Sequence, residues 1–490
     1  MRMEARAFLT ACAAAWLSAV CLFAQTGNQS SAQSPYFGSV TAGPASPQVR
    51  QLSLDDAIRM GIEHNLALVE AQDQEKVVQA QALESLQPLL PDITAEAQTG
   101  AHVINLAAFG FSQSLLDSAA PLFPGLNLFG FPTIIRVDTT IAQLNYSQSL
   151  VSLTSIEQRR AAKQSAVAAY FNTQSSRGLV VLNVGTAYLE ALAAGAQVDD
   201  ATSLLQADQL VLDQSIAQHQ AGTAANLDEL RARVQMESQQ QAVIAAENSF
   251  MKAKIALNRQ IGLPAEQEIQ LTDAAPYSEL TAMNIEEAKT SAYQNRQDYQ
   301  QMQAEVRAAE LQEKAAKWER LPTLTFNGNY GVTGVTRGLY HGTFAATGTL
   351  KLPLFEEAQL RGDRDVAAAN LSALRQRFAS LKQDIDQQLR DSILDLQSTG
   401  ELQRVARSNV DLAQQELEQT RERFAAGVDD NLPVVQAQAT LASAESNLVD
   451  TTVKYNESKL GLARNLGIVD TQYRVFMRGV SNSAPKAVNP

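Results

Sequence analysis

Cysteine is almost missing from this chain of 490 residues: there are two, Cys12 and Cys21, and both fall within the first 24. Arg2 and Arg6 precede the apolar run "AFLTACAAAWLSAVCLFA", which ends in small Ala24 before polar "QTGNQSS", so residues 1–24 predict a secretory signal peptide. The mature chain is then cysteine-free, which excludes disulfides and thiolate metal sites. Val20 makes Cys21 a poor match for a lipidation site. Basic clusters are also missing, and the net charge of −13 excludes nucleic acid as a partner, because phosphate binding needs grouped Lys and Arg. Beyond residue 24 there is no uninterrupted apolar run of about 18 residues. The richest stretch, "LVVLNVGTAYLEALAAGA", is broken by Asn183, Thr186 and Glu190. Catalytic signatures are absent too: no GxSxG, no GxxxxGK[ST] and no HExxH, with His64, His102, His219 and His341 scattered. Neither a catalytic residue, a cofactor site nor a metal site is expected.

What the chain does contain is said twice. "IAQHQAGTAANLDELRARVQMESQQ" (216–240) reappears 205 positions later as "RERFAAGVDDNLPVVQAQATLASAE" (421–445). Ala221, Gly222, Asn226, Leu227, Ala232 and Ser238 recur as Ala426, Gly427, Asn431, Leu432, Ala437 and Ser443, and the register continues through Lys254/Lys459, Leu257/Leu462 and Arg259/Arg464 to Gly262/Gly467. An earlier segment repeats at an offset of 231: "PDITAEAQT" and "PTLTFNGNYG" both alternate apolar and polar residues, the period of a half-buried strand. The change of offset assigns 26 extra residues to an outer loop at about 100–136, rich in Phe, Gly and Pro, three copies of which would restrict an exit. Return strands are expected at "TTIAQLNYSQSLV" and "TFAATGTLKLPLF", and long Ala-, Gln- and Leu-rich helices at 153–262 and 357–467. Leu205 and Leu212, with Val410, Leu417 and Phe424 in the second copy, fall at coiled-coil spacing.

The expected organisation is a signal peptide (1–24), a flexible N-terminal segment (25–50), a first repeat (51–270), a second repeat (271–470) and a C-terminal tail (471–490). The fold class is mixed α and β, mostly long α-helices. Each repeat supplies two strands, and four strands cannot close a membrane barrel, since edge N–H and C=O groups would face lipid unpaired. Several copies must share one barrel, and three copies give twelve strands.

The paired openings "LSLDDAI" and "NIEEAKT", the paired "LLPDITAEAQTG" and "RLPTLTFNGNYG", and the paired "AGTAANLDELRARVQ" and "AGVDDNLPVVQAQATL" resemble the TolC-like outer membrane efflux proteins over about 52–470. That resemblance implies a homotrimer with a twelve-stranded outer membrane β-barrel continuing into a periplasmic α-helical barrel. It also implies contact with outer membrane lipid, docking of a periplasmic adaptor (membrane fusion) protein and, indirectly, service to an inner-membrane pump. The doubled stretch becomes two helical tips at the periplasmic mouth. Gly222, Thr223, Gly427 and Val428 are then adaptor-docking tips, although a glycine also simply ends a helix. Asp228, Glu229, Asp429, Asp430 and Gln436 are candidates for the pore mouth, the paired aspartates doubling as helix caps. The family's acidic constriction positions here hold Pro433 and Gln436. Trp318, just ahead of a strand, is expected to anchor at the membrane interface. His219 aligns with Phe424 and suits packing or tip lining. A periplasmic coiled-coil adaptor or scaffold without a barrel is the alternative; it accounts for the helices but not for two pairs of amphipathic strands.

Overall fold

The computed structural model describes residues 34–41, 43–122, 132–222, 225–273, 279–280, 283–335, 338–426, 428 and 432–478. The chain forms two compact units, one from Met1–Glu75, Ala169–Gln301 and Ala379–Pro490, the other from Lys76–Ala168 and Met302–Phe378. The division does not follow residue 270: both expected repeats contribute to both units.

Two short capped helices show why the paired openings are alike. In α1 (Leu54–His64) the Ser53 side chain accepts from the Asp56 N–H at 3.1 Å, with Asp55 and Asp56 in the first turn. The helix Ile285–Asn295 opens the same way: Asn284 accepts from the Glu286 N–H at 3.1 Å, ahead of Glu286 and Glu287. An oxygen at the cap and carboxylates in the first turn both satisfy free N–H groups. In chain order the helices are α1, α2 (Leu66–Glu84), α3 (Gln113–Ala119), α4 (Leu153–Gln220), α5 (Asn226–Ile261), α6 (Ile285–Asn295), α7 (Gln297–Trp318), α8 (Glu357–Ala425), α9 (Leu432–Asn465) and α10 (Val469–Arg478).

In the first unit, the interrupted apolar stretch of α4 is core. Val180, Val181, Val184, Tyr188 and Leu189 pack with Ile58, Leu257, Ile261, Ile385, Leu389, Leu460, Leu462 and Leu466 in one buried cluster. By length and composition α4 has a window apolar enough to cross a membrane, and its Val180, Val181, Val184, Tyr188 and Leu189 are buried in this cluster. Gly467 ends α9 with φ +77°, and a Cβ there would lie 2.5 Å from the Arg296 nitrogen, so both its backbone and its space require glycine.

Two expectations need correction in this unit. The segment expected to be flexible over 25–50 is pinned where it is described: Asn65 Nδ2 donates to the Tyr36 carbonyl at 2.9 Å, and Leu66 N–H to the Gly38 carbonyl at 3.0 Å. Its end, β1 (Arg50–Leu52), pairs in parallel with β4 (Ile269–Leu271). The tail expected from 471 begins inside α10, whose Tyr473, Phe476 and Met477 are buried and whose Tyr473 hydroxyl donates to Asp55 Oδ1 at 2.8 Å. Both segments carry apolar residues that the first unit can cover, which composition alone undervalued.

The second unit holds a four-stranded antiparallel sheet in the order β2 (Asp92–Asn105), β3 (Ile134–Val151), β5 (Thr323–Val335), β6 (Tyr340–Lys351). The outer loop is shorter than the expected 100–136, because β-branched Val103 and Ile104 extend β2 opposite Arg136 and Ile135. Residues 106–133 connect the strands, and the described part carries α3 between two short 3-10 turns, Leu106–Phe109 and Ala120–Leu122. Along β3, residues 135, 137, 139, 141, 143 and 145 are half-buried while 134, 136, 138, 142 and 144 are exposed, so the sheet has a shielded and an open face.

Candidate functional site

The middle of the shielded face is polar and uncharged apart from Glu96, which accepts from Gln143 Nε2 at 3.4 Å and Asn145 Nδ2 at 3.2 Å. Ser147 Oγ donates to Asn327 Oδ1 at 2.8 Å on the same side. Opposite this belt the open face presents Ile93, Ala95, Ala97, Ala142 and Leu144, continuing across β5 and β6 as Tyr330, Val332 and Phe344. One side therefore suits water and the other hydrocarbon.

Trp318 is the last residue of α7, half-buried, with Lys314 Nζ 4.3 Å from its ring centroid. Lys314 in turn lies 3.2 Å from Glu157 Oε1, which also accepts from Arg160 Nη1 at 2.7 Å. The indole is thus held by a cation on its own helix one turn back.

The expected tips lie where α4 meets α5 and α8 meets α9. Gly222 is exposed, with φ +73°, the left-handed conformation that stops α4. Val428 is 65% exposed and bonds the Arg423 carbonyl through its N–H at 3.0 Å. Thr223, Gly427, Asp429 and Asp430 lie outside the described residues. Glu229 is gripped from both sides: His219 Nδ1 lies 2.8 Å from Oε2, and Arg233 Nη2 donates to Oε1 at 2.8 Å. Asp228 is 3.6 Å from Arg231. These two carboxylates occupy the first turn of α5, where the helix dipole favours them, and each has a cationic or imidazole partner. Gln436 is exposed on α9, one turn beyond Pro433 in that helix's first turn, where proline's missing N–H costs nothing.

Behind the tips a small apolar cluster joins Val211 and Leu212 of α4, Ala232 of α5, Leu417 and Phe424 of α8, and Val434, Ala437 and Leu441 of α9. The heptad residues Leu212, Leu417 and Phe424 are buried in it, while Val410 packs on its edge.

Sequence reasoning missed the polar seam beside this cluster. Asp208 is 2% exposed: Gln235 Nε2 donates to Oδ2 at 3.3 Å, while Oδ1 has no hydrogen-bond partner among the described residues. Gln438, also 2% exposed, has neither amide atom paired among the described residues. Burial pushes the Asp208 carboxyl up, against the Gln235 hydrogen bond and the Arg421 charge. Further along, burial and then facing Glu190 raise Glu457 to about 6, against the Lys454 charge, and Glu445 rises through burial and then through Asp200. Gln197 Nε2, on α4, donates to Asp450 Oδ1, on α9, at 3.1 Å. The available signal was acidic residues recurring on the apolar side of a heptad helix. Among the described residues no group of three or more His, Cys, Asp or Glu side chains is arranged to hold a metal.

Known proteins share this arrangement. Residues 290–468 match the family model described as outer membrane efflux protein. The outer membrane protein TolC of Escherichia coli is 22% identical over 415 residues, 77% of this chain and 81% of its own. The pyoverdine export outer membrane protein OpmQ of Pseudomonas putida is 24% identical over 320 residues, 63% of this chain and 67% of its own. Among solved structures, the Campylobacter jejuni CmeC outer membrane channel superposes with a TM-score of 0.71 at 14% identity, covering 85% of this chain and 86% of that one. An amphipathic sheet carried with long paired helices defines an outer membrane channel that extends into the periplasm. The family match over residues 290–468 and these relatives support an outer membrane efflux protein of the TolC-like kind, a channel of tripartite efflux systems.

Proposed function

We propose that three copies of this chain form one conduit, passively conducting substrates delivered by a pump and its adaptor. The observation that carries the trimer is the sheet: β2 and β6 are its two edges, 14 and 12 residues long, and its open face is apolar. In lipid an unpaired edge costs several kcal/mol per group, so β6 of one copy pairs with β2 of the next until the barrel closes. Three copies supply twelve strands around a lumen lined by the Glu96, Gln143 and Asn145 belt. Three copies of the two helical tips, built from duplicated sequence, give the periplasmic end its near-sixfold repeat.

The adaptor docks at Gly222, Thr223, Gly427 and Val428, where glycine leaves the backbone bare and Val428 offers an apolar contact. The pore mouth comprises Asp228, Glu229, Asp429, Asp430 and Gln436, of which Asp228 and Glu229 face Arg231, Arg233 and His219. Trp318 anchors the second unit at the membrane interface, its ring sharing the Lys314 charge. Native mass spectrometry of the protein extracted from outer membranes in detergent tests the assembly. Three chains per particle is the expected mass; a monomer retaining its full β content overturns the reading.

A further inference from the structure

Both faces of β3 change character near the same height. On the open face the run Tyr146, Leu144, Ala142 gives way at Thr140 to Asp138 and Arg136, whose side chains meet at 3.4 Å. On the shielded face the amides Asn145 and Gln143 give way to Ile141, Thr139, Val137 and Ile135, which stand opposite Gln98, Gly100, His102 and Ile104 of β2. The crossing point is the Thr99–Thr140 pair, whose hydroxyl oxygens are 3.2 Å apart. Strand β3 also outreaches its other neighbour: β5 pairs with it only as far as Thr139, so among the described residues Ile134 to Asp138 pair with β2 alone.

A register slip does not explain the exchange, because the β2–β3 pairing runs without a break from Asp92↔Ser147 to Asn105↔Ile134. The exchange lies in the sequence of β3, while β2 keeps Ala101 and Val103 across from Asp138 and Arg136. Below the crossing an apolar outside and a polar inside fit lipid and an aqueous lumen. Above it, an ion pair on the outside fits water, and isoleucine and valine on the inside need an apolar occupant. The chain supplies one next to this surface: the loop leaving Asn105 carries Phe109 (73% exposed), Phe111 (49%), Leu115 (49%) and Leu122 (76%), all uncovered in the single copy. Exposed apolar side chains at this density mark a contact surface.

We propose that Ile104, Ile135, Val137 and Ile141 form an apolar collar inside the outer end of the channel, which holds the 106–122 loops of the neighbouring copies as an exit plug. The loops bring the matching chemistry, and threefold assembly brings them to the axis. The inference rests on the trimeric reading above. Because the mature chain has no cysteine, adjacent single-cysteine variants read it directly. Val137→Cys lies on the collar and Asp138→Cys on the outside. Whole cells are treated with a bulky membrane-impermeant maleimide, and the trimer is checked by native mass spectrometry. Labelling at Asp138→Cys is expected to be at least about tenfold faster than at Val137→Cys. Replacing residues 109–122 by a Gly-Ser linker is expected to bring the two rates together. Equal rates with the native loop in an intact trimer overturn the collar, as does a difference that survives loop replacement. A monomeric particle overturns the trimer, and the collar with it.

Discussion

The base of the helical unit and its distal end are built from the same four long helices and differ in what fills the seam between them. At the base, Leu257, Ile385, Leu389, Leu460 and Leu462 are wholly buried, and Gly185 leaves so little room that a Cβ would lie 2.9 Å from Leu460 Cδ1. Towards the tips the apolar cluster is smaller, and Asp208 and Gln438 are buried beside it with polar atoms unpaired among the described residues; the base also buries Asn258 Oδ1, Gln260 Oε1 and Arg464 Nε in that state, but within a much larger apolar cluster. A buried polar group without a partner costs about 1–3 kcal/mol, whereas close apolar packing is stabilising wherever it occurs. The base therefore has the larger apolar core to carry its buried polar groups, while the distal seam has less; under the proposed docking, that weaker seam is where the tips separate. An adaptor that binds the separated form more tightly has little else to overcome.

Substitutions at the two ends test that contrast. Leu460→Ala empties a site with no room to collapse, and about 3 kcal/mol of stability is expected to be lost, seen as an earlier thermal transition in circular dichroism of the detergent-solubilised protein. A loss below about 1 kcal/mol would make the base as pliant as the tips. Leu417→Ala, in the distal cluster, is expected to cost about 2 kcal/mol and to raise the resting single-channel conductance in planar bilayers, since it loosens the mouth itself. Unchanged conductance would mean that the cluster does not hold the tips together.

The smallest effect comes from the seam's carboxylates. Glu457 sits at about 6 instead of 4.5, through burial and facing Glu190. A folded value above the unfolded one means that this group favours the fold fully below about 4.5 and loses that contribution as pH rises through about 6. Glu457→Gln is expected to raise stability by about 1 kcal/mol at pH near 7.5, solvent screening included, and to leave it unchanged near pH 4. Thermal melts across that range decide it: a gain of equal size at both ends would assign the effect to packing instead of charge.

Much of the architecture was legible because its signals are local. Alternation in "PDITAEAQT" and "PTLTFNGNYG" marked strands, and the paired "LSLDDAI" and "NIEEAKT" marked matching openings, which proved to be the starts of α1 and α6. What escaped depended on distant partners. Arg50 pairs with Ile269, and Tyr473 bonds Asp55, across separations at which no periodicity connects them. The end of β2 was hidden because Gly100 looks like a turn residue, whereas the strand runs through it opposite Thr139. At the tips, residue type alone marked Glu229 for the pore mouth but not its partner, His219, ten positions back across the turn. The Lys314–Trp318 contact, at helical spacing, was readable in principle.

The two bare edges of the sheet also constrain the order of events in the cell. A single copy cannot enter the bilayer with β2 and β6 unpaired, so under the trimeric reading assembly and membrane insertion become one step. The rate of that step then rises more steeply than the first power of the concentration of exported chain. Halving expression would lower the yield of inserted channels by more than half, and a surplus of assembly-defective chains would poison the rest by occupying edges that should close on one another.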